Sequence, residues 1–286
     1  MKFPWFKYEE LPLSSRPTAQ IFVTTRCNLR CDGCFARNVM KDSKQKDMSM
    51  DMYKSVVADA FQKGVQQINI LGGEPLLHKD LRRMIAINNL LDLKTTIYTN
   101  GYILDQYDQK DFGGVKLRLS IYSHKGHVKA VTKIPQGLHF DANYMVSANT
   151  ILSDLHLAAK YCEEVYGCKV FFISSIRELD NLRREFFDDT DLTMSVLKYK
   201  ELVHEFLYKY TGNMDIHVSK RGVFESTRSL PNKTCNFVNI FPNGKIIQCP
   251  YDVVNLKYQN HYEFGKRYCQ QNNTCLMSKV IYRRRR

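Results

Sequence analysis

The chain has 286 residues, 44% of them hydrophobic and 25% charged, which fits one sizeable globular domain with a small appendage. It contains no run of about 18 apolar residues and no signal-peptide core at its N-terminus, so the sequence predicts a cytoplasmic protein without a membrane span. The formal net charge of +13 favours an acidic partner such as a nucleotide, nucleic acid, an acidic peptide or an anionic lipid surface, although a basic solvated surface gives the same balance.

The apolar pattern along the chain predicts strands and helices in alternation. Residues 1–18 are polar, aromatic and proline-containing, and we expect an irregular lead-in there. Ser49 is expected to cap the first helix, and Gly64 to end it. Strands are predicted at 19–25, 67–71, 95–99, 115–121, 144–148 and 169–173, and helices at 49–63, 79–91, 150–166 and 193–210, with a short helix near residue 105.

Strands that alternate with helices indicate βα units and a parallel sheet, and six such units fill residues 19–211. Six units are too few for the usual closed eight-stranded barrel. Ligands of parallel βα folds bind at the C-terminal ends of the strands. Four segments follow such ends and are therefore expected to converge: the loop after residue 25, Gly72-Gly73-Glu74-Pro75, residues 99–101 and Ser120.

Three cysteines, Cys27, Cys31 and Cys34, follow the first predicted strand with the spacing C-x3-C-x2-C. Clustered thiolates bind soft metals, and a closed zinc site would need a fourth ligand. A four-iron cluster held by three cysteines would leave one iron open for another ligand. The spacing therefore favours an iron–sulfur cluster over a zinc knuckle or buried free thiols.

This spacing directly after a first strand resembles the signature of the radical S-adenosylmethionine (SAM) superfamily. The resemblance implies a partial six-stranded βα barrel and a 4Fe–4S cluster whose open iron binds the amino and carboxylate groups of SAM. One electron from the cluster would cleave SAM to a 5′-deoxyadenosyl radical, which abstracts a hydrogen from the substrate. Relatives usually have an aromatic residue before the third cysteine, whereas this chain has Gly33 there and Phe35 after it. That departure concerns the usual contact with adenine and not the cluster.

Gly72-Gly73-Glu74-Pro75 resembles the second motif of the family, about forty residues after the cysteines. Two glycines permit a close approach of the backbone to a ligand. The resemblance implies that the Glu74 carboxylate accepts the amino group of SAM. The alternative is a tight turn between a strand and a helix, with a glutamate near the helix N-terminus.

Ser120, at the end of the fourth predicted strand, resembles the position that contacts the ribose or carboxylate of SAM. Asn149, after the fifth strand, is a further candidate of the same kind. An ordinary serine at a strand end is the alternative for Ser120. Thr99-Asn100-Gly101 is similar to a segment of relatives, but Asn-Gly forms turns by itself, so it supports the register of the resemblance more than a role in binding.

A second group of cysteines lies in the C-terminal part of the chain. Pro242-Asn243-Gly244 predicts a hairpin that would bring the cysteines on either side of it to the same end. The pattern resembles the auxiliary-cluster module called SPASM, or its shorter form, twitch. The resemblance implies one auxiliary 4Fe–4S cluster, and a structural zinc ribbon is the alternative. The implied ligands are Cys235, Cys249, Cys269 and Cys275.

Together these features predict an α/β protein with a lead-in at 1–18, a partial (β/α)6 TIM-like barrel at 19–211, a small Cys-rich α+β, twitch-like domain at 212–280 and a disordered basic tail at 281–286. The resemblance implies a radical SAM enzyme that modifies a ribosomally made peptide or a protein side chain, with flavodoxin or ferredoxin as electron donor. Radical oxidation or rearrangement of a carbohydrate or nucleotide is the alternative, and nucleic-acid modification a third. A non-catalytic protein that binds zinc or nucleic acid is the alternative from a different class.

Overall fold

The computed structural model describes residues 6–11, 16–31, 34, 36, 46–123, 137–175, 194–219, 236–248, 258–264 and 279–284. The strands are β1 (Phe6–Leu11), β2 (Thr18–Thr24), β3 (Gln67–Gly72), β4 (Lys94–Thr99), β5 (Val115–Ile121), β6 (Phe140–Val146), β7 (Val170–Ser175), β8 (Asp215–Ser219), β9 (Phe237–Ile240), β10 (Ile246–Ile247) and β11 (Lys279–Arg284). The α-helices are α1 (Met50–Gln62), α2 (Leu81–Leu90), α3 (Leu152–Glu164) and α4 (Val196–Lys209), and 3-10 turns cover Pro75–Leu77, Leu104–Gln106 and Gln109–Phe112. None of the helices in these ranges has the length and apolar character needed to cross a bilayer.

All these strands belong to one sheet, in the order β1-β11-β8-β7-β6-β5-β4-β3-β2-β9-β10. From β9 to β8 every neighbouring pair is parallel. The remaining strands, β10 at one edge and β11 and β1 at the other, pair antiparallel. The six predicted strands are therefore present, parallel and in chain order. The predicted α/β class is confirmed, and the sheet is open rather than closed into a full barrel.

The two faces of the sheet carry different side chains. On β5, Leu117 and Leu119 are buried and pack with the helices in the hydrophobic core. Lys116, Arg118 and Ser120 point the other way and are exposed or partly exposed. Alternation with a period of two follows from strand geometry. We call the face that carries Lys116, Arg118 and Ser120 the polar face.

Helix α1 begins and ends where the sequence predicts. The Ser49 side chain accepts a hydrogen bond from the Met52 N–H at 3.1 Å, a cap worth about 1 kcal/mol. Gly64 follows the helix with a φ of +80°, which glycine adopts without strain. On the buried side, the Tyr53 hydroxyl donates to the Asn88 side-chain oxygen at 2.9 Å and ties α1 to α2.

The predicted irregular lead-in and the predicted disordered tail are wrong where the chain forms β1 and β11. These two strands pair with each other, and the Phe6 ring meets the Tyr282 ring edge-on. Arg283, in the predicted tail, contacts Asp215 of β8 through Nε and Oδ2 at 3.1 Å. The two strands lie at opposite ends of the chain, so no local pattern reveals that they pair.

Strand β6 spans Phe140–Val146 rather than the predicted 144–148. Its first half places Asp141 and Asn143 on the polar face, which hides the strand from a search for apolar runs. The prediction lacked β8, which pairs with β7, and β9 pairs with β2. Strands from both sides of residue 211 therefore share one sheet, and the division into separate domains at that residue stays a prediction.

Candidate active site

The three cysteines of the first motif lie in the Cys loop, residues 25–46, which follows β2. Cys27, Cys31 and Cys34 are each partly exposed, and none of the three forms a disulfide in the structure. The Leu29 N–H donates to the Cys27 sulfur at 3.4 Å. Burial, and to a lesser extent the charge of Glu74, raises the pKa of the Cys27 thiol. A bound metal would favour the thiolate there, because metal coordination deprotonates a thiol.

A phenol that sequence analysis missed lies beside Cys31. Tyr122 directly follows β5, and its hydroxyl is hydrogen-bonded to the Cys31 sulfur. Tyr122 keeps 36% of its surface exposed, yet desolvation first, and then the charges of Cys31 and Cys34, raise the pKa of Tyr122 well above its ordinary range. The contact with Cys31 places this part of the Cys loop at the C-terminal end of β5. The only signal in the sequence is the place of Tyr122 just after a strand, where parallel sheets bind their ligands.

The donor set fits an iron–sulfur cluster better than a single ion. Among the described residues, no group of three or more His, Cys, Asp or Glu side chains is placed to hold one metal ion. A 4Fe–4S cluster instead binds each thiolate to a different iron, so its ligands need not meet at one point. Soft thiolates are the donors that such a cluster takes. The role of the three cysteines as cluster ligands stays a prediction.

One carboxylate closes the base of the Cys loop. Asp47 Oδ1 accepts hydrogen bonds from Thr24 Oγ1 at 2.7 Å and Arg26 Nε at 3.0 Å, and Asp47 Oδ2 accepts from Arg26 Nη2 at 2.9 Å. Burial opposes the ionisation of Asp47, but the bonds from Arg26 and Thr24 outweigh it and lower the pKa. Arg26 Nη2 also donates to the Leu77 carbonyl at 2.7 Å. The two ends of the loop are thus held to each other and to the turn after β3.

Gly72 and Gly73 let the end of β3 lie directly on the Cys loop. A Cβ at Gly73 would overlap the Arg26 carbonyl oxygen, and one at Gly72 would lie 2.7 Å from the Thr24 carbonyl oxygen. The Glu74 N–H donates to the same Arg26 carbonyl at 2.7 Å. The close approach expected at these glycines therefore occurs, but its partner in the structure is the chain's own backbone. Contact of either glycine with SAM stays a prediction.

Glu74 is buried and accepts three hydrogen bonds. Oε1 accepts from the Leu76 N–H at 3.1 Å and the Thr99 hydroxyl at 2.8 Å, and Oε2 accepts from the Asn100 N–H at 2.8 Å. Burial raises the pKa of Glu74 to about 7 in spite of these donors. From the described residues Oε2 receives this one bond, which leaves a lone pair for a further donor such as an ammonium group. Pro75, also buried, begins the 3-10 turn that follows.

Asn100 links the end of β4 to the Cys loop. Its side-chain nitrogen donates to the Asn28 side-chain oxygen at 2.8 Å, and its oxygen accepts from the Tyr102 N–H at 3.0 Å. Burial raises the pKa of Cys27, and a hydrogen bond with the Asn100 side chain partly offsets that effect. Sequence analysis treated Asn100 as a turn former only, because its contact with the cysteine segment exists only in the folded chain.

Ser120 and Asn149 follow neighbouring strands but are placed differently. Ser120 is partly exposed on the polar face, in register with Asn143 of β6, and precedes Tyr122 on the strand that leads to the cysteines. Asn149 is exposed in the turn between β6 and α3. Contact of either residue with SAM stays a prediction.

The hairpin predicted around Pro242-Asn243-Gly244 is present as β9 and β10, and Gly244 has a φ of +77° at its turn. Strand β9 lies beside β2, the strand that leads into the Cys loop. The predicted ligands of the auxiliary cluster all lie outside the described residues: Cys235, Cys249, Cys269 and Cys275. Their grouping therefore stays a prediction.

Further from the strand ends, the polar face carries a row of charged and aromatic side chains. Tyr98, Arg118 and Asp141 are in register on β4, β5 and β6. Arg118 Nη1 donates to the Tyr98 hydroxyl at 2.8 Å, and the guanidinium carbon lies 3.9 Å from the centre of the Phe172 ring. Asp141 Oδ2 lies 2.8 Å from Lys116 Nζ and 3.5 Å from Arg118 Nη2. Sequence analysis did not single out this row, because its members come from four separate strands.

Comparison with known proteins places the cysteines inside a recognised domain. Residues 21–115 match the family model of the Radical SAM superfamily. The chain is 28% identical over 202 residues to a probable GTP 3′,8-cyclase of Methanococcus vannielii, which covers 64% of this chain and 67% of that protein. It is 33% identical over 109 residues to the GTP 3′,8-cyclase of Staphylococcus saprophyticus, covering 36% of this chain and 32% of the relative. The match to this relative thus spans about a third of the relative's length.

The fold is similar to that of Streptococcus suis SuiB bound to the precursor peptide SuiA, with a TM-score of 0.63 and 17% identity over 86% of this chain and 62% of SuiB. SuiB bound to S-adenosylmethionine gives a TM-score of 0.61, with 17% identity over 86% of this chain and 63% of SuiB. At such identity the likeness concerns the fold. The match to the family model, by contrast, spans the three cysteines and the Gly72-Gly73-Glu74-Pro75 motif, so residues 21–115 are similar in sequence to a radical SAM domain.

Proposed function

We propose that the chain is a radical SAM enzyme in which Cys27, Cys31 and Cys34 hold a 4Fe–4S cluster. The observation that carries the proposal is the packing of the Gly72-Gly73-Glu74-Pro75 motif and of Asn100 against the segment of Cys27, at the C-terminal ends of a parallel sheet. When bound, the cluster would supply one electron to SAM, and the resulting 5′-deoxyadenosyl radical would take a hydrogen atom from the substrate.

The residues around the cysteines would bind and orient SAM rather than react. Glu74 Oε2 has a position for the amino group of SAM, and its carboxylate is held in place by three donors of the chain. Asn100, which follows β4, donates its backbone N–H to Glu74 and its side-chain N–H to Asn28. It therefore joins Glu74 to the Cys loop. Ser120 would reach the ribose or carboxylate from the polar face. Asp47 would keep the base of the Cys loop closed.

The substrate is proposed to be acidic, and two classes have support. Likeness in fold to SuiB, which was crystallised with a precursor peptide, supports a ribosomally made peptide or a protein side chain. Relatives named GTP 3′,8-cyclase support a nucleotide. The net charge of +13 fits either class. We place the peptide first, as the resemblance of the C-terminal cysteines to the SPASM and twitch modules implies.

The proposal extends to one auxiliary 4Fe–4S cluster and to flavodoxin or ferredoxin as the electron donor. The β9–β10 hairpin supports the auxiliary cluster, because its antiparallel pairing brings the chain before β9 and the chain after β10 to the same end of the hairpin. Such a cluster would pass electrons or bind the substrate. Its ligands would be Cys235, Cys249, Cys269 and Cys275.

Anaerobically reconstituted protein tests the first step. We expect iron and sulfide in equal amounts, and 5′-deoxyadenosine from SAM with a strong reductant. Replacing Cys27, Cys31 and Cys34 with alanine should abolish this product. Cys168→Ala is the matched control, since Cys168 is buried in the hydrophobic core and should be dispensable for cleavage. Zinc without sulfide, or cleavage that survives loss of the three cysteines, would contradict the proposal.

Isotope transfer separates the two substrate classes. Deuterated GTP and deuterated peptides encoded near the gene are each incubated with SAM and a reductant. The true substrate should pass deuterium to 5′-deoxyadenosine and gain a new bond or lose a hydrogen. Deuterium transfer from GTP and from none of the peptides would contradict the choice of a peptide as the first candidate.

A further inference from the structure

The charges on the polar face are not balanced around Arg118. Two cations, Lys116 and Arg118, share the carboxylate of Asp141. Lys116 lies 2.8 Å from it, whereas Arg118 is 3.5 Å away, longer than a usual charge-assisted hydrogen bond. Asp141 Oδ2 has no hydrogen-bond partner among the described residues, so both contacts are ion pairs only. This group of side chains therefore carries one positive charge in excess.

Arg118 is also short of acceptors. Its side chain is only 15% exposed, and its Nε is buried without a hydrogen-bond partner among the described residues. The buried Nε of Arg118 has no acceptor, and the guanidinium is only loosely paired with Asp141. Both raise the free energy of the folded chain. An anionic group of a ligand would offset that cost.

The guanidinium of Arg118 is held in one orientation. It lies over the rings of Tyr98 and Phe172, at 5.0 and 3.9 Å from their centres, and donates to the Tyr98 hydroxyl. Arginine presents its donors in a rigid plane that matches the oxygens of a carboxylate or a phosphate. The aromatic contacts thus prepare the group to bind such an anion without further ordering.

The position of Arg118 along β5 suits a substrate that reaches the cysteines. Four residues separate it from Tyr122, which corresponds to about 13 Å in a parallel strand. Ser120 lies midway on the same face, beside Asn143. A nucleotide or a short stretch of peptide spans such a distance, so an anionic group at Arg118 would leave the rest of the molecule near the cysteines.

We propose that Arg118 binds an anionic group of the substrate, a carboxylate or a phosphate, on the polar face of the sheet. It selects acidic molecules and fixes the end of the substrate that lies furthest from the cysteines. This inference rests on the proposed function for the identity of the ligand as a substrate, but the binding itself is measured without SAM cleavage. A purely structural Arg118 would only join strands β4 to β7, and its loss would change stability and not binding.

Calorimetric titration of the reconstituted protein with two pairs of probes tests this role. GTP and guanosine differ in the phosphates, and hexaglutamate and hexaglutamine peptides differ in the carboxylates. We expect one anionic probe to bind and its neutral counterpart not to, and the pair that responds identifies the anion as phosphate or carboxylate. Arg118→Gln should weaken that binding by roughly tenfold to a hundredfold. Arg118→Lys should retain part of it, because lysine keeps the charge without the planar fork.

Arg83→Gln is the matched control. It removes the same charge from α2, where Arg83 contacts Asp80 at 3.1 Å, and should leave binding unchanged. Arg118→Met, which keeps the packing of the aliphatic stem, replaces Arg118→Gln if the latter does not fold. Wild-type affinity in the Arg118 variants, equal loss in Arg83→Gln, or failure of both anionic probes to bind more tightly than the neutral ones would overturn the proposal. Intact anion binding without SAM cleavage would instead overturn the proposed function.

Discussion

The two faces of the sheet are built from alternate residues of the same strands and yet are held by different forces. On the helix-covered face, β5 contributes Leu117, Leu119 and Ile121, each buried in the hydrophobic core. On the polar face it contributes Arg118 and Ser120, where contacts are ion pairs, ring faces and hydrogen bonds. Burial of apolar surface stabilises the fold whatever the orientation of the side chains. Hydrogen bonds depend on orientation, and on the polar face Arg118 Nε and Asp141 Oδ2 lack partners among the described residues. Apolar burial and directional contacts are therefore separated across the thickness of one strand.

We expect the largest effect from a substitution at the end of β3, where the chain packs on the Cys loop. Gly73→Ala would place a Cβ on the Arg26 carbonyl oxygen, and that backbone cannot yield as a flexible side chain can. We expect the reconstituted variant to lose most of its iron and its SAM cleavage, as iron analysis and product assay would measure.

Gly113→Ala is the control for that experiment, because the Cβ it adds would meet nothing nearer than the Lys110 carbonyl oxygen at 3.7 Å. It should retain the iron and the activity. Equal iron in the two variants would mean that the close approach of β3 to the Cys loop is not needed.

The second-largest effect comes from comparing substitutions on the two faces of β5. Leu119→Ala removes a buried side chain and should lower the free energy of unfolding by about 2–5 kcal/mol. Its neighbour on the polar face, Ser120→Ala, should change it by less than about 1 kcal/mol. Urea unfolding measures both. Similar losses in the two variants would contradict the assignment of the larger share of the stability to the helix-covered face.

Asp47→Asn should have a smaller effect, confined to the Cys loop. The ion pair of Asp47 with Arg26 is partly exposed, so its loss is expected to cost about 1 kcal/mol or less in overall stability. The loop would nevertheless open more often, and iron should pass to a chelator several-fold faster.

Asp51→Asn removes the same charge from the surface of α1, where Asp51 contacts Lys54 at 3.9 Å, and should leave the rate of iron loss unchanged. If Asp47→Asn loses iron no faster than Asp51→Asn, the carboxylate does not close the loop.

The smallest effect is expected away from both faces, at the ion pair of Arg82 and Asp111. Arg82 Nε donates to Asp111 Oδ1 at 2.6 Å, and this bond lowers the pKa of Asp111 from 3.8 to about 2. The folded chain then binds fewer protons than the unfolded chain between these values. The pair's contribution to stability is therefore complete above pH 3.8 and is lost as the pH falls toward 2.

Arg82→Ala should accordingly show a smaller decrease in stability than the wild type over that range, measured by unfolding at several pH values. Arg83→Ala, a neighbouring exposed arginine, should behave as the wild type. An identical pH dependence in Arg82→Ala and the wild type would show that the pair does not stabilise the fold.

Local patterns predicted most of the parallel sheet. Apolar runs identified β2, β3 and β5, and the cap at Ser49 located the start of α1. The apolar pattern missed the first half of β6, where polar side chains alternate with apolar ones. It also missed β1 and β11, which pair with each other from opposite ends of the chain. The period of the apolar residues indicates the type of an element and which of its faces is buried. It contains no information about which strand lies beside it.

The site divides in the same way. The sequence by itself determined the chemistry of the first motif, since three thiolates at this spacing can be read without a structure, and it placed Glu74 beside them at a strand end. Only the tertiary structure brought Tyr122 to Cys31, Asn100 to Asn28 and Asp47 to Arg26. It alone assembled the row around Arg118 from four strands. The physical reason is that a motif is a property of neighbours along the chain, whereas a hydrogen bond or an ion pair depends on distances that the folded sheet decides.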